Sequence, residues 1–202
     1  MEGFVLGDID VPKIAKVTAK ELYLGYTSSF PPPKVTYKYD VEWQLVWQRL
    51  DSPVLDPFAR ECLFMIINNI VPNRERLHLK MNMVDSPNCV VCHVREDNTH
   101  MFMECSSVRE AWGWVRLRLL SLLPLGCEIT SNFEFLSLMF EKHLMDNEAV
   151  WLIGAYIEFV WLEKIMKKKV VKLQHLVGYI ELKYKANKFS KKPSLDHIIG
   201  IN

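Results

Sequence analysis

The chain has 202 residues, of which 50% are hydrophobic and 24% are charged, so its composition excludes a disordered or low-complexity protein. Its N-terminus lacks the basic-then-apolar pattern of a secretory signal, so its five cysteines are expected to stay reduced, some of them as metal ligands. The longest apolar run, residues 150–162, has thirteen residues and contains Glu158, whereas a bilayer span needs roughly 20 apolar residues. We therefore expect an intracellular protein, nuclear or cytoplasmic, that has no membrane partner.

The net charge of +1 conceals an uneven distribution of charge along the chain. Residues 1–160 carry 15 basic and 21 acidic side chains, a net charge of −6. Residues 161–202 carry 10 lysines and 3 acidic side chains, a net charge of +7. A surface that attracts a polyanion is therefore expected at the C-terminal end of the chain.

The N-terminal region reads as a short helix followed by a spacer. Thr18 and Glu21 have the spacing of a capping box, which predicts a short helix through Leu24. Three consecutive prolines at 31–33 predict a stiff, extended connection. This pattern suggests that residues 1–33 form a separate N-terminal part of the chain.

Helical patterns follow the prolines. Apolar residues at helical spacing predict a helix over residues 41–50. Asp56 and Pro57 predict the start of the next helix, which runs through Ile70, because an acid at the N-cap and proline at the first position both favour helix entry. Pro72 and Asn73 end that helix and cap a third, shorter one.

The C-terminal half also shows helical periodicity. Ser106 or Ser107 is expected to cap a long helix, and Ser131 to start another. Asp146 opens the last long helix, which is predicted to reach lysines 167–169, and a final amphipathic segment covers residues 173–189. We predict a mostly α fold: a compact multi-helix domain built around a small Cys-Cys-His-Cys zinc knuckle, with a helical zinc-binding domain at 34–145 and C-terminal helices with a basic tail at 146–202.

Four residues have the spacing of a metal site, Cys89-x2-Cys92-x7-His100-x4-Cys105. A Cys-x2-Cys pair lets two thiolates approach one ion from a single turn, here expected to be a tight hairpin. The His-x4-Cys pair supplies the remaining two ligands. Three sulfurs and one imidazole fill a tetrahedral shell and leave no position for water or substrate, so the pattern predicts a structural zinc ion.

Other cysteines and histidines fit this site less well. His93 could replace His100, but adjacent Cys92 and His93 side chains do not easily reach the same ion. Cys62 lies on an apolar helical face and is expected in the core. Cys127 follows a helix end without a partner at metal-binding spacing and is expected to be a free thiol.

The motifs of residues 55–115 follow a recognisable order. A Pro-x-Arg-x-x-Leu segment at 72–77 precedes the Cys-x2-Cys pair, residues 97–105 contain the histidine and the final cysteine, and residues 107–112 open a helix with a tryptophan. In this order they resemble the reverse-transcriptase zinc-binding domain, which lies near the C-terminus of reading frames from non-LTR retrotransposons. The resemblance implies a module that helps a retroelement enzyme to hold its RNA or target DNA.

The sequence offers no catalytic motif. It contains no Asp-Asp doublet of the kind that polymerases use to bind metal, no phosphate-binding loop and no His-Glu-x-x-His. Asp146, Glu158 and Lys164 could be imagined as a nuclease set, but they share one predicted helix and match no nuclease spacing. We therefore expect no enzymatic activity and no small-molecule substrate.

Two kinds of binding function remain. The first is a nucleic-acid-binding accessory domain that contacts RNA or DNA through five lysines: Lys164, Lys167, Lys168, Lys169 and Lys172. Of these, Lys164, Lys168 and Lys172 would line one helical face. Further lysines (Lys183, Lys185, Lys188, Lys191 and Lys192) would support them, and Tyr179, Tyr184 and Phe189 could stack on bases. The alternative for the lysines is a solvated helix face or a nuclear-import signal.

The second kind of function is a protein–protein interaction module, a domesticated retroelement fragment that docks on a protein partner through apolar helices. The acidic residues around the knuckle (Asp85, Glu96, Asp97 and Glu104) argue against nucleic-acid contact at the knuckle itself. Phe102 and Trp112 are expected to pack in the core rather than to stack on bases.

Overall fold

The computed structural model of the chain describes residues 42–122 and 147–186. The predicted N-terminal helix, the proline spacer, the helix at Ser131, Cys127 and Phe189 lie outside these ranges. The predicted boundaries at 33/34 and 145/146 also lie outside them and stay predictions.

The described residues form six α-helices and two short π-helical turns, which are here called π1 and π2. In chain order they are α1 (Trp43–Leu50), α2 (Pro57–Ile67), α3 (Arg74–Leu79), π1 (His100–Glu104), α4 (Arg109–Leu122), α5 (Asn147–Trp161), π2 (Leu162–Met166) and α6 (Leu173–Ala186). The described part contains no strand beyond one isolated antiparallel bridge, between Asn88 and Arg95. The predicted mostly α fold is therefore confirmed.

Two helix starts agree with the sequence prediction. Helix α2 begins at Pro57 with Asp56 at its N-cap, and α3 begins after Asn73, whose side-chain oxygen accepts a 2.8 Å hydrogen bond from the Arg76 amide. The Asp56 carboxylate makes no such capping bond and pairs with Lys183 of α6 instead. The acid thus marks the helix start and also connects two distant elements.

Helix α5 lies at the centre of the core. Every residue from Glu148 to Trp161 is buried, because α2, α4 and α6 pack around it. A helix that is apolar on all sides requires this arrangement. Gly154 lets α5 approach the segment before α2 closely, since a Cβ atom at that position would collide with the Leu55 side chain. None of the helices in the described residues is both long enough and apolar enough to cross a membrane.

The end of the last long helix differs from the prediction. The α-helix ends at Trp161, π2 widens the next turn, and the helical path stops before Lys168, which has a left-handed φ of 53°. The Lys169 amide donates to the Glu163 carbonyl at 2.7 Å, and this bond closes the helix end after the left-handed residue. The last long helix was predicted to reach residues 167–169, but its last turn ends at Met166, and no glycine or proline marks this stop in the sequence.

Candidate metal centre

The first two cysteines lie on a tight hairpin. The Cys89 amide donates to the Val94 carbonyl at 2.7 Å, and the His93 amide donates to the Cys89 carbonyl at 2.9 Å. His93 adopts a left-handed φ of 58°, a conformation that a β-carbon disfavours and that reverses the chain here. This reversal places the Cys89 and Cys92 thiols beside the same point.

The second ligand pair lies on π1. The Cys105 amide donates to the His100 carbonyl at 2.8 Å, which is the i to i−5 bond of a π turn. In an α-helix, residues five apart point about 140° away from each other. The wider π turn brings the His100 and Cys105 side chains to the same side of the helix, so both can face the cluster despite their His-x4-Cys spacing. The Asp97 carboxylate fixes the start of the turn by accepting from the His100 amide at 2.8 Å.

The four side chains converge on one point. Ligand atoms of Cys89, Cys92, His100 and Cys105 all lie within 4.8 Å of one another. The Cys105 sulfur is 3.7 Å from the Cys89 sulfur and 3.6 Å from the Cys92 sulfur. Tetrahedral zinc with bonds of about 2.3 Å holds two sulfurs about 3.8 Å apart, whereas a disulfide needs about 2.05 Å. The geometry therefore matches metal ligation and excludes a disulfide among these three thiols.

The polar surroundings of the cluster also fit a metal ion. The Nε2 atom of His100 is buried and has no hydrogen-bond partner within the described residues, although buried polar atoms are normally satisfied. Amide N–H groups of Val91 and Ser106 donate to the sulfurs of Cys89 and Cys92, at 3.4 and 3.2 Å. Hydrogen bonds from Ser106 lower the pKa of Cys92, whereas burial raises the pKa of Cys89. An unpartnered imidazole nitrogen beside three sulfurs, two of which accept amide hydrogen bonds, is the donor set that a thiophilic metal requires.

Two side chains from the C-terminal half hold π1 in place. The Tyr156 hydroxyl of α5 donates to the Phe102 carbonyl, and the Lys164 ammonium of π2 donates to the Met101 carbonyl at 3.2 Å. Sequence reasoning missed Tyr156 because a tyrosine in an apolar run gives no sign of its distant partner. The metal centre is thereby fixed to elements more than 50 residues further along the chain.

Glu96 connects the knuckle to two other elements. Its carboxylate accepts from the Arg74 amide at the start of α3, at 3.1 Å, and lies 3.6 Å from the Lys164 ammonium. Both side chains are largely buried, with 9% of Glu96 and 11% of Lys164 exposed. Sequence reasoning counted Glu96 among the acids that surround the knuckle, but its charge points inward and is paired.

The five lysines predicted to bind nucleic acid lie in three different environments. Lys164 points inward, as described above, so it does not share an exposed face with Lys168 and Lys172. Lys167 is exposed but pairs with Glu163 at 2.6 Å. Lys168, Lys169 and Lys172 are exposed on the segment that follows π2. The predicted helical stripe of Lys164, Lys168 and Lys172 is not formed, because the helix ends before Lys168.

The predicted supporting residues are mostly used within the fold. Tyr184 is buried, so its ring is not available to stack on a base. Tyr179 is half-buried and packs on Phe159, with ring centroids 5.3 Å apart. Lys183 pairs with both Asp56 and Glu158, whereas Lys185 is exposed. Lys188, Lys191 and Lys192 lie outside the described residues.

The remaining sequence assignments near the site agree with the structure. His93 is exposed and is not one of the four clustered residues. Cys62 is fully buried in α2, and burial with two nearby carboxylates raises its pKa to about 12. Phe102 and Trp112 are buried in the core, as predicted.

Comparison with known proteins identifies the region around the cluster. Residues 28–112 match the family model described as zinc-binding in reverse transcriptase. The match includes all four clustered residues and the start of α4. Searches against curated proteins and against solved structures found no match. The predicted resemblance to the reverse-transcriptase zinc-binding domain is therefore confirmed over residues 28–112.

Proposed function

We propose that the chain is a non-catalytic zinc module that holds nucleic acid through the exposed lysines after π2. The observation that carries the proposal is that Lys168, Lys169 and Lys172 are exposed and have no ion-pair partner among the described residues. Their segment, residues 166–172, is called the basic segment below. It follows directly on Lys164, the residue that contacts the metal centre.

The metal in this proposal is zinc. Three thiolates and one imidazole favour a soft or borderline ion and form a closed tetrahedral shell. The zinc ion would supply folding free energy by joining the hairpin to π1, and it would leave no coordination position for a substrate. The closed donor set therefore supports a structural role and argues against catalysis at this site.

The absence of catalysis has further support from the described residues. In that part of the chain, the Cys-Cys-His-Cys group is the only cluster of at least three His, Cys, Asp or Glu side chains suited to hold a metal. Glu158, one of the carboxylates considered for a nuclease, is buried and paired with Lys183. A carboxylate neutralised in this way is poorly placed to bind a catalytic magnesium ion.

Phosphate is the chemical group that the basic segment fits best. Clustered lysines attract a polyanion, and each phosphate that they neutralise steepens the salt dependence of binding by about 0.7 to 0.9 in log–log slope. Lysine contacts to phosphate position a strand without reading its sequence. The basic segment should therefore bind many sequences with similar affinity.

A protein-docking function is the second candidate, and the knuckle is the observation that favours it. Val90, Val91 and Val94 of the hairpin are 68%, 44% and 52% exposed, although valine is usually buried. Association through these side chains would depend little on salt, whereas binding through the lysines would weaken steeply as salt increases. Salt dependence therefore separates the two functions.

The test is a fluorescence-anisotropy titration of a labelled 20-nucleotide RNA with the purified chain, at several salt concentrations between about 50 and 200 mM. The triple variant Lys168→Ala/Lys169→Ala/Lys172→Ala should reduce the log–log salt slope by about two to three units and leave the metal content unchanged. A matched control, Lys80→Ala/Arg109→Ala/Arg116→Ala, removes the same charge from other exposed positions.

The control variant should keep most of the wild-type salt slope, because its lost cations lie outside the basic segment. An equal reduction of the salt slope in both triple variants would show that binding depends only on the net charge, and it would contradict the proposal. A wild-type chain that binds no RNA and no DNA at about 50 mM salt would also contradict it, and the docking candidate would then take first place.

A further inference from the structure

The basic segment carries apolar as well as basic side chains on its surface. Met166 at its start is 65% exposed, and Val170 in its middle is 55% exposed. Between and after them lie the three exposed, unpaired lysines. We propose that this segment binds unpaired nucleic acid in preference to duplex, with the lysines on phosphates and with Met166 and Val170 on base faces. This inference rests on the proposed nucleic-acid function.

The shape of the segment is fixed by its own contacts. The Lys169 amide bonds to the Glu163 carbonyl and the Lys167 ammonium pairs with the Glu163 side chain, so both sides of the turn are tied to π2. Lys168 sits at the turn in the left-handed conformation that glycine normally occupies at a helix end. The exposed side chains are therefore presented by a defined turn and not by a regular helix.

The combination of lysines and apolar side chains favours unpaired over paired strands. A duplex presents phosphates on its outside and keeps the faces of its bases stacked inside, so it satisfies lysines only. An unpaired strand presents phosphates and base faces within one nucleotide, and exposed base faces can pack against apolar side chains. A surface that presents Met166 and Val170 beside exposed lysines matches an unpaired strand.

The aromatic residues nearby do not replace this contact. Tyr184 is buried and Tyr179 packs between Phe159 and the Lys183 ammonium, which lies 5.4 Å from the Tyr179 ring centroid. The two aliphatic side chains are therefore the apolar groups that the segment itself offers to a base. An anionic lipid surface has a similar combination of charge and apolar contact, and the experiment below includes it.

The experiment compares a 20-nucleotide RNA of mixed sequence with the duplex of the same sequence, at about 100 mM salt. Wild type should bind the single strand at least about tenfold more tightly than the duplex. The variant Met166→Ser/Val170→Ser should bind the single strand roughly tenfold more weakly, because loss of about 50 Å² of apolar contact lowers affinity by about that factor. Its affinity for the duplex should fall by less than about twofold. Its salt slope and metal content should not change, because no charge and no ligand is altered.

Leu182→Ser is the matched control, because Leu182 is 71% exposed on α6 and outside the basic segment. It should bind both ligands as wild type does.

Equal wild-type affinity for single strand and duplex, or a double serine variant that binds the single strand as tightly as wild type, would overturn the inference and leave the proposed function intact. Failure of wild type to bind either ligand would instead remove the proposed function. Capture by phosphatidylserine vesicles that the double variant abolishes, without a preference for single strands, would overturn the inference in favour of a lipid surface.

Discussion

The metal centre and the basic segment use their side chains in opposite ways. At the metal centre, residues from two separate stretches converge within 4.8 Å, and backbone amides support the sulfurs. In the basic segment, neighbouring lysines diverge into solvent, and only Lys167 has an ion-pair partner among the described residues. Tetrahedral ligation allows few geometries, so spacing in the sequence predicts it. The number of lysines predicts attraction to a polyanion, but it does not predict how they are arranged.

The two regions are joined by one side chain. Lys164 contacts the Met101 carbonyl of π1 and the Glu96 carboxylate, and it belongs to π2, which leads into the basic segment. A residue that the charge pattern assigned to nucleic-acid binding therefore holds the basic segment beside the candidate metal centre.

Loss of a metal ligand should have the largest effect. Cys105→Ser removes a sulfur that lies within 3.7 Å of both other clustered sulfurs. Zinc binding contributes on the order of 10–16 kcal/mol to the folding of small zinc peptides. We expect loss of bound zinc and of cooperative unfolding. Elemental analysis and thermal denaturation measure these two changes.

Cys62→Ala is the control for this variant, because Cys62 is a buried thiol outside the cluster. It should keep one zinc ion per chain and cost only about 1–2 kcal/mol of stability. A similar comparison distinguishes the histidines: His100→Ala should lose zinc and His93→Ala should not. Retention of zinc by Cys105→Ser would show that the metal centre does not hold its ion as described.

Breaking the connection should have the next largest effect. Lys164→Met leaves the Glu96 carboxylate buried without its cation, and removal of one partner of a buried pair typically costs about 3–5 kcal/mol. Because Lys164 is not an exposed cation, the log–log salt slope for nucleic acid should change by less than about 0.5. Urea denaturation and the salt titration measure the two effects.

The double variant Lys164→Met/Glu96→Gln provides the matched test of the pair. It should recover part of the lost stability, because the neutral amide needs no cation. If the two single variants add without any coupling, Lys164 and Glu96 do not form the connection proposed here.

Alkaline pH should produce a smaller effect through Cys62. Its pKa is raised from 9.0 to about 12 in the folded chain, first by burial and then by the charges of Glu158 and Glu61. The folded chain therefore keeps this proton above pH 9 while the unfolded chain loses it, so stability falls as pH rises towards 12, by up to about 1.4 kcal/mol per pH unit.

The variant Cys62→Ala lacks this proton and should lose less stability than wild type between pH 9 and pH 11. Denaturation with urea at several pH values measures the difference. Parallel pH profiles for wild type and variant would show that the buried thiol does not contribute to alkaline unfolding.

The smallest predicted effect concerns Lys168. Glycine adopts the left-handed conformation without the strain that a lysine bears, so Lys168→Gly should stabilise the chain by up to about 1 kcal/mol. The same change should weaken nucleic-acid binding and lower the log–log salt slope by about 0.7 to 0.9. A variant that is more stable but binds less tightly would separate the structural role of this residue from its role in binding. Unchanged binding would show that Lys168 does not contact nucleic acid.

The structure also shows which parts of the molecule were predictable from the sequence. The clustering of Cys89, Cys92, His100 and Cys105 and the helix starts at Pro57 and Asn73 depend on residues close together in the chain, and the structure agrees with the prediction of both. The role of Lys164 depends on Glu96 and Met101, more than 60 residues earlier, so local patterns do not reveal it. The end of α5 was also missed, because no glycine or proline marks it. Tyr184 shows the same limit, because amphipathic spacing alone did not indicate that its ring is buried.

X-ray absorption spectroscopy at the zinc edge of the purified chain tests the central claim most directly. The closed site predicts three sulfur ligands at about 2.3 Å and one nitrogen ligand at about 2.0 Å, with no oxygen ligand. This result would establish Cys89, Cys92 and Cys105 with one histidine as a structural shell. A shell with only two sulfurs, or one that contains an oxygen ligand, would contradict both the ligand set and the non-catalytic role.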